Sequence, residues 1–151
     1  MTTTVIQLKE LYETDDSLWL EETIKLLKEH KFQELDLENL IEELESLARR
    51  DKLAMASLLE QIIRHLLLLE YWEAEYERNS NHWEAEIVAL RNQLNDSMNP
   101  NFSKHLNQNL TAIYQKALRY TQRKSRLTNL PLECPYTLEK LLDQQWFPQK
   151  Y

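Results

Sequence analysis

Apolar positions recur every three to four residues through most of this 151-residue chain, the period of an amphipathic helix. Leu20, Ile24 and Leu27 fall at i, i+4 and i+7 and predict a helix over residues 16–30. Asp15 or Asp16 suits its N-cap, Glu21 and Glu22 follow early in it, and Lys28 and His30 complement its C-terminal dipole. The residues before it, 1–15, read as a loose lead-in with a short helical piece around Leu8 to Tyr12. Asp36, followed by Glu38, marks the next helix start. Leu40, Leu44 and Leu47 form a stripe that Ile41 and Ala48 widen. After Arg49-Arg50-Asp51 the stripe resumes with Met55, Leu59, Ile62, Leu66 and Leu69, then Trp72 and Tyr76. Residues 37–78 therefore read either as one long helix or as two that meet near residue 51. From Leu66 to Trp72 the apolar character runs most of the way round, which predicts the most buried piece of the fold.

Ser80 reads as the cap of a helix over 81–96 with the stripe Trp83, Ile87, Leu90 and Leu94. A polar turn with Pro100 follows, then a helix over 101–127 carrying Phe102, Leu106, Leu110, Ile113, Ala117 and Thr121 on one face. Pro131, Pro135 and Pro148 punctuate a tail in which Thr137 caps one short helix bearing Leu138, Leu141 and Leu142. Trp146 and Phe147 are expected to fold back as an anchor, since two exposed adjacent aromatics invite aggregation. Short connections favour antiparallel neighbours. The pattern thus predicts an all-α fold, an antiparallel helical bundle of four or five main helices with an irregular, Pro-containing C-terminal tail. We read it as a single domain: lead-in 1–15, bundle 16–127, packing tail 128–151.

Composition sharpens this picture mainly by exclusion. The chain has no glycine. Glycine supplies positive φ and close backbone approach to phosphates. The dinucleotide turn, the P-loop, the kinase loop and the nucleophile elbow are all ruled out with it. The longest aliphatic run is Leu66 to Leu69, far short of the ~20 residues that span a bilayer. No signal peptide is readable, and the single cysteine, Cys134, has no internal partner for a disulfide; together these point to the cytoplasm. The net charge of −7 is unevenly spread. Residues 1–50 carry 6 basic and 13 acidic side chains, a net −7, whereas residues 87–130 carry 7 and 1, a net +6. The acidic and basic parts can attract each other, or an acidic partner.

Candidate chemistry is sparse. Glu-x-x-His and His-Glu-x-x-His are both absent. His82 and Glu86 share a helix face at i and i+4, giving two potential metal ligands or a solvated surface pair. Glu42 and Glu45 also share a face and, with His65, would supply a metal or acid–base site if the fold brought them together. The plainer reading makes the glutamates a solvated helix face and His65 a core imidazole bonded to a carbonyl or carboxylate. Cys134, before a proline and with no adjacent histidine, reads as a small hydrophobe rather than a nucleophile. Lys116, Arg119, Arg123, Lys124 and Arg126 form a basic patch interleaved with Tyr114 and Tyr120, residue types that grip phosphates and stack on bases. The acidic whole argues against nucleic acid and for an acidic protein surface. Trp19, Trp72, Trp83 and Trp146 fall on apolar faces, where one or two could anchor an interface.

Several blocks together resemble a known family. They are Trp19-Leu20-Glu21-Glu22-Thr23, Leu35-Asp36, the run from Asn39 to Leu47 reading Asn-Leu-Ile-Glu-Glu-Leu-Glu-Ser-Leu, and His65-Leu66-Leu67. Arg78, Trp83, Leu130-Pro131, Cys134-Pro135-Tyr136-Thr137-Leu138 and Trp146-Phe147-Pro148 complete the set. Over residues 11–148 the chain is similar to bacterial domain-of-unknown-function family 29, common in cyanobacteria. The resemblance implies an all-helical, stand-alone cytoplasmic domain and supplies no activity, cofactor or catalytic residue. The chain departs from the family's more basic character around residues 70–83, reading Glu70-Tyr71-Trp72-Glu73-Ala74-Glu75. The expectation is a non-enzymatic interaction or assembly module without a cofactor, contacting a protein partner or, as a homodimer, itself, and not a membrane. A helical metal protein or enzyme using Glu42, Glu45 and His65 is the alternative, and nucleic-acid binding through the 116–126 segment is the third.

Overall fold

In a computed structural model, residues 5–149 are described, and every regular element among them is helical. The first four and last two residues, which belong to the expected lead-in and tail, lie outside the described residues. The helices are α1 (Val5–Thr14), α2 (Asp16–Lys28), α3 (Leu37–Tyr71), α4 (Glu73–Asp96), α5 (Pro100–Gln108), α6 (Leu110–Ser125) and α7 (Leu138–Leu142). A short 3₁₀ turn at Phe32–Glu34 leads into α3. Their contacts group into two compact units, residues 1–50 and 51–151.

The all-α expectation holds, and the question left open at residue 51 is resolved. Residues 37–71 form one continuous helix, because Arg49-Arg50-Asp51 interrupts only the apolar stripe and offers no proline or glycine to break the backbone. Several boundaries differ from the sequence reading, beginning with the long helix, which ends at Tyr71 and not near residue 78. The lead-in is a full helix, α1. The fourth helix starts at Glu73, so Ser80 lies inside it; nearby, Asn79 bonds back to the Glu75 carboxylate at 3.0 Å, one turn earlier. The helix expected over 101–127 is broken at Asn109, whose backbone leaves the helical region (φ −106°, ψ 7°) while its side chain takes the His105 carbonyl at 2.8 Å.

In the first unit Leu8, Trp19, Leu26 and Leu35 make a small core, with Leu11, Tyr12 and Leu40 against it. Asp36 is buried at the start of α3 and accepts from the Trp19 indole at 3.3 Å and the Asn39 amide at 2.6 Å. The Leu35-Asp36 and Asn39 positions of the sequence motif are thus helix-start and core-satisfaction devices. Tyr12 stacks edge-on against Trp19 at 4.8 Å and donates to Glu43 at 2.8 Å. At the end of α2 the amides of His30 and Lys31 bond to the Leu27 and Leu26 carbonyls at 3.1 and 2.9 Å, a Schellman closure with His30 at φ 59°. Arg126, at φ 63°, closes α6 in the same left-handed region. With no glycine in the chain, ordinary side chains must occupy both caps.

The second unit holds the larger core. Leu66, Leu67, Leu68 and Leu69 are all essentially without solvent contact, as their all-round apolar character implied. Trp83, Ile87, Leu90 and Leu94 of α4, Leu106 of α5, and Ile113, Ala117 and Leu118 of α6 pack with them. Trp72 stacks on Trp83 with ring centroids 6.1 Å apart. The tail closes over this core through buried polar anchors. Arg91, fully buried, donates to the carbonyls of Leu141 (2.8 Å), Trp146 (2.8 Å) and Lys140 (3.1 Å). Tyr136 donates to Glu70 at 2.6 Å, and Tyr114 donates to the Pro131 carbonyl. Thr137 caps α7 by accepting from Lys140 at 3.2 Å. Trp146 and Phe147 do fold back onto the core.

Candidate interaction surfaces

The largest disagreement with the sequence concerns which face of α2 is buried. Trp19, Thr23 and Leu26 face inward, and the Leu20, Ile24, Leu27 stripe is 49%, 42% and 39% exposed. The first turns of α3 behave alike. Leu40 packs on the small core, while Ile41, Leu44 and Leu47 remain 53%, 56% and 47% exposed. The cause lies in the core itself. Trp19 is the bulkiest side chain of the helix, and its indole has a buried carboxylate to reach at Asp36, so it decides the rotation of α2. Leu20 lines a small cleft with Trp19 and Glu43, so the two leucine-bearing helices adjoin there. An apolar surface of this kind on a folded unit marks a contact site more often than chance exposure.

Beside that stripe on α3 run Glu38, Glu42 and Glu45, themselves at i, i+4 and i+7. Their ion pairs are long and solvated: Glu38 to Lys9 at 3.6 Å, Glu42 and Glu45 to Arg49 at 3.7 and 4.0 Å. Such pairs contribute about 0–1 kcal/mol. Glu42 and Glu45 do not join His65. Twenty positions of the chain separate Glu45 from His65, and they belong to different compact units. His65 instead bonds through Nδ1 to the Gln61 carbonyl at 2.7 Å, the plainer role anticipated for it. Burial holds its pKa below the ordinary histidine value, against the opposing pull of that carbonyl and of Glu86, while Lys124 and His82 push it further down. His82 and Glu86 are exposed on α4. Among the described residues no group of three or more His, Cys, Asp or Glu side chains is placed to hold a metal ion. Burial raises the Cys134 thiol pKa, with a weaker opposing effect from its bond to the Tyr136 carbonyl at 3.3 Å, which leaves it a poor nucleophile.

Three side chains of the basic segment line one cleft. Arg119, Arg123 and Arg126 line an open cleft of about 570 Å³ with Tyr120 and Gln122 near the C-terminal end of α6. All three arginines are exposed, and among the described residues none of them is in an ion pair. Lys116 and Lys124 are exposed on the same helix. The Arg64 guanidinium lies over the Tyr120 ring at 3.8 Å from its centroid, and the Lys124 ammonium lies 5.9 Å away. A ring already covered by cations is not a free stacking platform for a base.

The pattern of a known family matches residues 11–147 under the description "Domain of unknown function DUF29". The chain belongs to the DUF29 family. No curated protein and no solved structure matches it. In this DUF29 chain parts of the blocks that carry the resemblance serve the fold. Asp36 and Asn39 start α3, and Cys134 to Leu138 seat the tail on the core. Sequence reasoning missed Arg91 altogether, read Asp36 only as a helix start, and set Tyr114 in the basic patch, whereas all three are buried polar anchors. Each looks locally like any surface residue of an amphipathic helix or turn.

Proposed function

We propose that this DUF29 chain is a non-enzymatic protein-interaction module that works in the cytoplasm and contacts its partner through the leucine face of α2 and the first turns of α3. The observation that carries this reading is the solvent exposure of Leu20, Ile24, Leu27, Ile41, Leu44 and Leu47, six large apolar side chains on two helices of one unit. The free thiol of Cys134 fits a reducing compartment. Among the described residues no helix is long and apolar enough to cross a membrane, so a bilayer-spanning helix does not account for the exposed leucines.

A photo-crosslinking amino acid at Ile24 or Leu44, compared with one at exposed Lys104, tests the reading in the native host. A discrete adduct from the two leucine-face positions and none from Lys104 is expected. Equal labelling from all three positions, or none from any, would overturn it.

A further inference from the structure

The interaction reading leaves the arginine cleft of α6 without a role, and its geometry matches a feature of the same chain. Arg119 and Arg123 stand at i and i+4 on α6, and Arg126, the left-handed residue that closes the helix, lines the same open cleft. Glu38, Glu42 and Glu45 stand at i, i+4 and i+7 on α3, and their side chains are 83%, 60% and 61% exposed. Residues i and i+4 share one helix face, so Arg119 and Arg123 can meet two successive glutamates of that α3 stripe while Arg126 sits at the end of the cleft. The cleft wall is built from arginine stems and the Tyr120 ring, apolar material beneath a cationic rim. Next to the glutamates run Leu37, Ile41 and Leu44, an apolar ridge that can fill such a cleft.

We propose that the arginine stripe of α6 docks the glutamate stripe at the start of α3 in a second copy of this chain. The proposal rests on the interaction reading and names its partner. Charge complementarity selects the occupant: residues 1–50 carry net −7 and residues 87–130 carry net +6. Pairing like faces of two copies would instead bring acid against acid. Guanidinium groups grip carboxylates in a planar, two-bond geometry that lysine does not reproduce. Two facts weigh against nucleic acid: the Tyr120 face is occupied by Arg64, and the chain as a whole is acidic.

Charge-swap complementation followed by sedimentation velocity tests this. The wild-type chain is expected to self-associate near 0.1 M salt and to dissociate near 1 M, where the Debye length falls to roughly 3 Å. Arg119→Glu/Arg123→Glu and Glu42→Arg/Glu45→Arg should each weaken association by roughly tenfold or more, about 1.4 kcal/mol. An equimolar mixture of the two variants should restore it. The neutral pair Arg119→Gln/Arg123→Gln, with helicity checked by circular dichroism, guards against a folding artefact. A wild-type chain that stays monomeric at every concentration overturns the proposal, as does association that survives both swaps. Should the chain be monomeric while Leu44 crosslinks a different protein, the proposal falls and the module reading stands. Oligonucleotide binding lost in Arg119→Glu/Arg123→Glu, without self-association, would overturn it in favour of nucleic acid.

Discussion

Arg91 is the side chain on which closure of the tail depends, and replacing it with methionine gives a quantitative test. Burial lowers its pKa from 12.5 to about 10, with Asp143 partly opposing, so it is still charged at neutral pH. That lowering marks the penalty of desolvating the guanidinium. Against this stand three hydrogen bonds from a charged donor to the carbonyls of Lys140, Leu141 and Trp146. Each contributes about 1.5–3 kcal/mol, or roughly 4.5–9 together. The bonds outweigh that penalty and leave Arg91 a net stabiliser. Methionine replaces the aliphatic stem and removes the desolvation penalty of the charge, but strands three acceptors. Arg91→Met should therefore lose about 3 kcal/mol in urea unfolding followed by circular dichroism. Amide exchange should rise selectively over residues 138–147. Arg91→Lys should fall between, since one ammonium cannot serve three separated carbonyls. A loss below about 1 kcal/mol, or exchange protection unchanged in the tail, would refute the claim that this guanidinium holds the tail down.

Four further outcomes follow from the same geometry. Arg126→Gly should stabilise the chain by about 0.5–1 kcal/mol, because relief of the left-handed strain at φ 63° exceeds the entropy cost of glycine; thermal denaturation reads it. Tyr136→Phe should cost about 1–3 kcal/mol by leaving the Glu70 carboxylate without its 2.6 Å donor, measured by urea unfolding. Cys134 should react with a thiol reagent at least roughly tenfold more slowly in the folded than in the urea-unfolded chain, since burial raises its pKa. His65, whose folded pKa is depressed, takes up its proton more readily unfolded. Its contribution is therefore fully present above about pH 6.5 and is lost as pH falls from there toward the folded value. His65→Gln should flatten that limb of a stability-versus-pH curve.

The helical class was legible from the residues alone. A period near 3.6, no glycine and no proline before Pro100 leave the backbone few alternatives. The run Leu66 to Leu69 announced its burial because no face of it is polar, and Thr137 announced α7 through local capping chemistry. The family, too, was readable from the Asn39–Leu47 and Cys134–Leu138 blocks. What the chain alone did not decide was rotation and pairing. Helix α2 carries two apolar options about 100° apart, Leu20-Ile24-Leu27 and Trp19-Thr23-Leu26, and periodicity weighs them alike. Tertiary structure chose the second, because Trp19 fills the small core and reaches Asp36. The same holds for the candidate site. Spacing put Glu42 and Glu45 on a shared face, but only the tertiary structure sets His65 in a different compact unit. Spacing likewise grouped Arg119, Arg123 and Arg126, while their lack of ion pairs among the described residues is a tertiary fact. Local sequence sets which residues share a helix face; which face meets solvent depends on bulk, buried hydrogen bonds and charge arriving from distant parts of the chain.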